Sequence, residues 1–474
     1  MELQNSGGVN SMEVEFEPRS LDVSPSLLSI LGNKRYRSLM LTIMLTLTLG
    51  IMGGAILPLS WGFEETGIVW GFIIMILVSF ANDFTCGLLL RQSDALGAHD
   101  YESLALAVGG RFYKHFTDFS IIILLFGSLL GSIQQFGEAG AIGVEGLSHK
   151  VPHWLMDRSG SLLMALGTIF ISFPLCLHSR LQELDKAAAL GTALVLWLLV
   201  VILIDSIKHG LPAIHNGQLK IAGVPSLKNI SQATSIFGFA FYVQPIMMPY
   251  LMELPSGKVG IGILKWATRF VVLGISFIVY AIIGLFGAAR YGDQTSDNIL
   301  QNRWMGGGIG QGILNLSISL YLALSVPMLE FPIRHTIYCW FPENKKFRLL
   351  QLYLTVVILL LCLSFALLFP NNSGNVLVAT GAVGVCIVSY MVPIINHFLL
   401  LFKRVKPLEN AHTQDASVQV QEKDGLGSSQ SMSYRMKRKD GIWNIVFEML
   451  WEIFIPLLVV GVGLFCSIMA LCTL

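Results

Sequence analysis

Long apolar stretches separated by short polar segments dominate this sequence from about residue 39 onwards. A helix needs roughly 20 apolar residues to cross a bilayer, and these stretches are of that length or longer. The pattern predicts an all-α polytopic membrane protein with eleven transmembrane helices, at about 39–63, 68–90, 118–145, 160–178, 187–206, 232–252, 266–289, 309–339, 349–369, 376–402 and 443–472.

The first and sixth predicted helices are interrupted in corresponding places. Residues 49–58 read Leu-Gly-Ile-Met-Gly-Gly-Ala-Ile-Leu-Pro, and residues 237–249 read Phe-Gly-Phe-Ala-Phe-Tyr-Val-Gln-Pro-Ile-Met-Met-Pro. Glycine exposes backbone and proline removes an N–H, so both segments are expected to lose helical hydrogen bonds. Lipid tolerates the freed groups only where they line a protected cavity, and such a pair indicates the substrate site of a transporter.

Five helices precede the second interruption, which gives the first and sixth helices equivalent places in two halves of opposite orientation. The sequence therefore predicts a five-plus-five inverted repeat with broken helices 1 and 6, followed by one extra helix. We divide the chain into a cytosolic N-terminal tail (1–38), a transporter core (39–402, with halves 39–206 and 232–402), a cytosolic linker (403–442), and the eleventh helix with the terminus (443–474).

The distribution of basic residues predicts the orientation in the membrane. With the N-terminus in the cytosol, about three quarters of the 31 lysines and arginines fall on the cytosolic side, as the positive-inside rule requires. The C-terminus then lies outside or in a lumen. Only 13% of the residues are charged and the mean hydropathy is +0.66, which suits a protein of the lipid bilayer. A net charge of +1 without a basic face argues against nucleic acid as a partner.

The two interruptions offer complementary groups to a zwitterion. A half-helix beginning near Gly54 would direct free N–H groups of the first interruption at a carboxylate, because the N-terminal end of a helix is positive. Freed carbonyls of the second interruption would accept from an ammonium group. The predicted substrate-binding residues are Gly53, Gly54, Ala55, Ile56, Phe239, Ala240, Phe241 and Tyr242. The alternative is that the glycines serve close helix packing and the prolines only kink the helices.

Several motifs resemble those of the amino acid/auxin permease family. Residues 53–63, Gly-Gly-Ala-Ile-Leu-Pro-Leu-Ser-Trp-Gly-Phe, are similar to its first-helix motif, and residues 325–334, Ser-Val-Pro-Met-Leu-Glu-Phe-Pro-Ile-Arg, are similar to its eighth-helix motif. The sequence Tyr291-Gly-Asp293 resembles the motif that follows the seventh helix. The similarity runs from about residue 38 to 402 and points to the sodium-coupled neutral amino-acid transporter branch. It implies eleven helices, the inverted repeat and neutral amino acids as substrates.

The resemblance also implies a sodium site between the first and eighth helices. The family uses an Asn side chain, backbone carbonyls and a Thr hydroxyl there, and the matching positions in this chain are Leu49, Met52 and Ser325. Because Leu49 stands at the Asn position, proton coupling is the alternative. Glu138 and Glu330 are its candidates, since an ionisable group within a membrane costs roughly 2.5–3.5 kcal/mol to insert and usually serves function. Glu330 can instead pair with Arg334 one helical turn on.

These observations predict a secondary active transporter of neutral L-amino acids that works by alternating access and is coupled to Na+ or H+. The alternative is a nutrient sensor of the same fold that binds an amino acid and moves it slowly or not at all. We predict no enzyme, no catalytic residue, no cofactor and no metal beyond the coupling ion. We expect a monomer in the plasma membrane or in a vacuolar or lysosomal membrane.

Overall fold

The computed structural model describes residues 26–147, 160–178, 181–255, 257–340, 347–370, 373–401 and 450–472. Nearly all of these residues are helical, and none of them forms a β-strand. Within this part of the chain, ten helical segments are long and apolar enough to cross a membrane, and a further apolar helix, Ser161–Cys176, is shorter. The predicted class of all-α polytopic membrane protein is confirmed, while the inverted repeat stays a prediction.

We number the helices in chain order, after a short helix at Leu27–Gly32. The first five are α1 (Lys34–Met52 and Leu59–Thr66), α2 (Ile68–Leu96), α3 (Tyr101–Leu147), α4 (Ser161–Cys176) and α5 (Asp185–His209). The remaining six are α6 (Leu227–Phe241 and Gln244–Met247), α7 (Lys258–Gln294), α8 (Ile309–Tyr338), α9 (Phe347–Leu368), α10 (Ser373–Leu401) and α11 (Leu450–Leu471). The whole predicted linker 403–442 and most of the predicted tail 1–38 lie outside the described residues.

Several helices begin earlier than the hydrophobic pattern predicts, and α1 and α3 show why. Helix α1 starts at Lys34, inside the predicted tail, with the Asn33 side chain accepting hydrogen bonds from the first turn. Helix α3 starts at Tyr101, and a kink at Gly110 (φ 79°) separates its first turns from the predicted span. The Tyr101 hydroxyl donates to the Val388 carbonyl (2.6 Å), so contacts with α10 hold the part of α3 before Gly110 in place. This part is too polar to be recognised from the sequence as membrane-spanning.

Helices α3 and α8 pack closely because small residues line α3 where they meet. A Cβ atom on Gly143 would lie 2.7 Å from the Leu316 side chain, and one on Gly146 would lie 2.7 Å from the Gly308 carbonyl oxygen. In lipid, where helices gain no hydrophobic energy by associating, such close backbone approach is a principal source of packing energy. Further along the chain from these glycines toward the start of α3, the Gln135 and Ser132 side chains lie against Gly54 in the α1 break.

The broken helices occupy the middle of the bundle. In the most apolar window of the second broken span, Leu227–Met252, 94% of the residues are buried, against 22% in Leu450–Leu471. Helix α11 therefore lies at the periphery, and the freed backbone of α6 is shielded from lipid as a broken membrane helix requires.

Candidate functional site

The first interruption is a true break in α1. Its first half ends at Met52 because Gly53 adopts φ 27° and ψ −138°, a conformation that a side chain would strain. A 3₁₀ turn, Gly53–Ile56, follows, and the second half begins at Leu59 with Pro58 before it. Helical structure thus resumes near Gly54 as predicted, first as a 3₁₀ turn, and the α-helical part begins at Leu59.

The second interruption is also a true break. The backbone leaves the helical conformation at Tyr242 (ψ 137°) and Val243 (φ −146°), and Gln244 begins the next helical turn. The Gln244 side chain accepts a hydrogen bond from the Val243 N–H (2.9 Å). Pro245 suits this first turn because the N–H that proline lacks has no helical partner there.

Both breaks contribute to one cavity of about 180 Å³. Its lining residues are Gly50, Ile51, Gly53, Gly54 and Ala55 of α1 and the turn after it, Ser128 and Ser132 of α3, Phe239 and Tyr242 of α6, and Leu329 of α8. Five of the eight predicted substrate-binding residues are among them, whereas Ile56, Ala240 and Phe241 are buried elsewhere. No lining residue is charged.

The backbone of the α6 break is already hydrogen-bonded in part. The Tyr280 hydroxyl of α7 donates to the Ala240 carbonyl (2.8 Å) and lies 3.3 Å from the Ile51 carbonyl oxygen of α1. The Phe241 ring packs edge-on against the Tyr280 ring, with 5.0 Å between centroids. Tyr280 therefore reaches both broken helices and occupies one of the two lone pairs of the Ala240 carbonyl oxygen, whose role as an acceptor for an ammonium group stays a prediction.

Tyr280→Phe is expected to lower the free energy of unfolding by about 1–3 kcal/mol, because it leaves the buried Ala240 carbonyl without this donor. The matched control is Tyr321→Phe. Tyr321 is also fully buried, but its hydroxyl has no hydrogen-bond partner in the described part of the chain, so its removal should cost little or stabilise. Thermal unfolding of the two purified variants measures the difference, and equal losses would contradict the bridging role of Tyr280.

A buried polar network secures α6 just beyond its break. The Gln244 side-chain NH₂ donates to the Asn82 side-chain oxygen (3.0 Å) and to the Thr85 hydroxyl (2.9 Å), both on α2. Asn82 in turn donates to the Tyr390 hydroxyl of α10 (3.0 Å). Through these hydrogen bonds the network holds the α6 break to α2 and α10. Removal of any one side chain would leave the buried polar groups of the others without a hydrogen-bond partner.

Glu138 lies where α3, α10 and the loop between α7 and α8 meet. Its carboxylate accepts hydrogen bonds from the Asn298 side chain (3.1 Å) and the Ser373 hydroxyl (3.2 Å). The same loop reaches α1, because the Ile299 N–H donates to the Leu57 carbonyl (3.2 Å) just after the 3₁₀ turn. Glu138 does not line the cavity. Its hydrogen bond with Asn298 holds the predicted outer loop beside the α1 break.

Glu330 lies in a second network, between α4, α8 and α9. Its carboxylate accepts from the Thr355 hydroxyl (2.8 Å) and lies 3.8 Å from the Arg334 side-chain nitrogen, so the predicted pairing one turn apart is confirmed. Arg334 also donates to the carbonyls of Cys176 (2.6 Å) and His178 (3.0 Å) at the end of α4. Glu330 is fully buried, and one of its oxygens has no hydrogen-bond partner in the described residues.

The three sodium-site candidates lie around the α1 break. A Cβ atom on Gly53 would be 3.9 Å from the Ser325 hydroxyl, which donates to the Leu322 carbonyl (2.8 Å). The Leu49 carbonyl accepts from the Gly53 N–H, and the Leu49 side chain packs toward Gly191 of α5 and offers no oxygen. The donors that fit a sodium ion are the carbonyl end of this half-helix, which includes Met52, and the Ser325 hydroxyl.

These features define a class of protein: a polytopic helical membrane protein in which two broken helices enclose a small, uncharged cavity. The chain belongs to the transmembrane amino acid transporter protein family, whose model matches residues 37–420. It is therefore a member of a transporter family and not of an enzyme family, with amino acids as its substrate class. The predicted family resemblance is confirmed.

Relatives in plants and vertebrates are similar to most of the chain. Amino acid transporter AVT6C of Arabidopsis thaliana is 25% identical over 69% of this chain and 79% of its own length. Sodium-coupled neutral amino acid symporter 2 of Danio rerio is 22% identical over 81% of this chain and 77% of its own. Solute carrier family 38 member 10 of Mus musculus is 22% identical over 60% of this chain, which matches only 26% of that longer protein.

The sequence reasoning missed the residues that other helices bring to the breaks. Ser128 and Ser132 of α3 line the cavity, and the Tyr242 hydroxyl donates to the Ser128 hydroxyl (2.9 Å). Tyr280 comes from α7. One signal for the serines was available, because residues 128, 132 and 135 follow a helical spacing and are polar within an apolar span.

Proposed function

We propose that this protein carries neutral L-amino acids across a membrane by alternating access, coupled to a gradient of Na+ or H+. The observation that carries the proposal is the cavity between the two broken helices, whose lining residues are all uncharged. A charged substrate side chain would be buried there without a partner, at a large cost in free energy. A zwitterion with a small neutral side chain avoids that cost.

The two breaks are where such a substrate would bind. The 3₁₀ turn after the first half of α1 supplies small residues that allow close approach to the backbone, and Tyr242 and Phe239 of α6 line the same cavity. A second cavity, of about 240 Å³, lies between the second half of α6 and the predicted cytosolic ends of α3 and α8, lined by residues such as Pro245, Glu102 and His335. Movement of the α6 half-helix between the two cavities would open a path toward the predicted cytosolic side.

Either ion is compatible with the residues present. Sodium would be held by Ser325 and the carbonyl end of the first half of α1, where its charge would offset the negative end of the helix dipole. A proton would be taken up by Glu138, which links the outer loop to the bundle, or by Glu330. The relative named as a sodium-coupled symporter favours sodium, and the apolar Leu49 side chain favours the proton.

We also propose an orientation, an oligomeric state and a membrane for the protein. The N-terminus lies in the cytosol and the C-terminus outside or in a lumen, with the core at 39–402 acting as a monomer. The membrane is the plasma membrane or a vacuolar or lysosomal membrane.

Uptake into liposomes that contain the purified protein tests the proposal. Labelled alanine, glutamine and leucine are offered under an inward sodium gradient, an inward proton gradient, or neither. Accumulation above the external concentration under one gradient is the expected result. Binding without uptake under every condition would instead support the amino-acid sensor, and the absence of both would reject the proposal.

If sodium drives the uptake, Ser325→Ala is expected to reduce sodium-driven accumulation at least about tenfold, because it removes a charge-coordinating oxygen. Ser317→Ala is the matched control. Both hydroxyls lie on α8 and donate to the carbonyl three residues earlier, at 2.8 Å and 2.7 Å, but only Ser325 lies beside Gly53. Equal sodium dependence of uptake in the two variants would show that Ser325 does not bind the sodium ion.

A further inference from the structure

One polar face of α3 points at the α1 break. Ser128, Ser132 and Gln135 are spaced four and three residues apart, which places them on the same face of the helix. Ser128 and Ser132 line the cavity. A Cβ atom on Gly54 would overlap the Gln135 side-chain oxygen and lie 3.3 Å from the Ser132 hydroxyl. The carboxamide of Gln135 therefore sits directly against the glycine of the 3₁₀ turn.

The side-chain oxygen of Gln135 is buried without a hydrogen bond. Gln135 is 1% exposed, and its Oε1 atom has no partner among the described residues. A buried acceptor without a donor destabilises the protein, so a retained one requires an explanation. The side-chain oxygen of Gln134 is also buried without a partner in the described residues, but its NH₂ group donates to the Phe369 carbonyl (2.7 Å) near the end of α9, so position relative to the α1 break distinguishes Gln135.

Several acceptors near the breaks are already hydrogen-bonded. The Leu49 carbonyl accepts from Gly53, the Leu57 carbonyl from Ile299, and the Ala240 carbonyl from Tyr280. The hydroxyl of Tyr242 is bonded to Ser128. The Gln135 side-chain oxygen, by contrast, lies against the α1 turn and has no partner in the described residues, so it is an open acceptor for an ammonium group beside that turn.

We infer that the Gln135 carboxamide oxygen accepts a hydrogen bond from the α-ammonium group of the substrate. The inference rests on the proposed function and adds the group that recognises the amino end of the substrate. A neutral amide is suited to this task, because it bonds a cation without adding charge to a cavity that also receives a carboxylate. Glycine at position 54 gives the carboxamide room beside the turn.

Gln135→Met tests the assignment, with Gln134→Met as the matched control. Methionine keeps the side-chain length and removes the acceptor. In proteoliposomes, Gln135→Met is expected to raise the KM for alanine about 10- to 100-fold, as the loss of a hydrogen bond to a charged group predicts. Gln134→Met is expected to leave the KM within about threefold of the unchanged protein, because its carboxamide faces α9.

Competition by propionate separates recognition of the ammonium from a structural effect. Propionate has the methyl and carboxylate groups of alanine and lacks the ammonium, so Gln135→Met should weaken alanine and leave propionate inhibition unchanged. Gln135→Glu keeps an acceptor, and its charge should strengthen the preference for alanine over propionate. The preference of Gln135→Glu for alanine over propionate therefore tests the inference even if Gln135→Met does not fold.

Three outcomes would overturn the inference: an unchanged alanine KM in folded Gln135→Met, an equal loss of alanine and propionate, or no gain in preference in Gln135→Glu. In each of them the unchanged protein still transports alanine, so the proposed function survives. If the unchanged protein neither binds nor transports any amino acid, the proposed function itself has failed.

Discussion

Replacement of Gly54 with alanine is expected to raise the KM for amino acid uptake by about 5- to 150-fold. The added Cβ atom would take the space of the Gln135 carboxamide oxygen, the far end of a flexible side chain, which would have to rotate away from the turn. Rotation would displace the acceptor inferred for the ammonium group, and a loss of about 1–3 kcal/mol in binding corresponds to this change because each 1.4 kcal/mol is a factor of ten in affinity. The measurement is the initial rate of alanine uptake against alanine concentration in proteoliposomes.

Gly87→Ala on α2 is the control for Gly54→Ala, because a Cβ atom there meets nothing within 4 Å. It should leave uptake unchanged. The double variant Gly54→Ala with Gln135→Ala removes the clash, so its uptake shows whether Gln135 is itself needed for substrate binding. Restored uptake would mean that Gln135 only fills space, whereas a persistent defect is expected if Gln135 binds the substrate. A normal KM in Gly54→Ala alone would place the substrate site away from the α1 turn.

Arg334→Met is expected to lower the free energy of unfolding by about 3–5 kcal/mol, because it leaves the buried Glu330 carboxylate without its cation. It also removes the donors to Cys176 and His178 at the end of α4. Neither side chain of the ion pair is more than 4% exposed, so water cannot replace the lost contacts. Denaturant or thermal unfolding of the purified protein in detergent measures the loss.

Arg269→Met provides the comparison for Arg334→Met. Arg269 pairs with Asp83 between α7 and α2 (2.8 Å), but its side chain is 39% exposed, so its loss should cost clearly less. The double variant Glu330→Gln with Arg334→Met removes both charges and should regain part of the stability. If the double variant is no more stable than Arg334→Met, the uncompensated carboxylate is not the cause of the loss.

The sequence by itself determined the class of all-α polytopic membrane protein, the approximate positions of the helices and the two breaks. Apolar stretches of membrane-spanning length and the local conformational preferences of Gly53, Pro58 and Pro245 carry that information, because backbone conformation in lipid depends on hydrogen bonds within a helix. Family motifs within residues 53–63 and 325–334 were equally local and predicted the amino acid transporter family.

Only the tertiary structure decided which groups meet at the breaks. Tyr280 bonds the Ala240 carbonyl from 40 positions away in the chain, and Gln135 reaches Gly54 from another helix. The two carboxylates were recognised as unusual from the sequence, but their partners Asn298, Ser373 and Thr355 were not. Contacts of this kind depend on how helices are rotated and packed against one another, and no local pattern encodes that rotation.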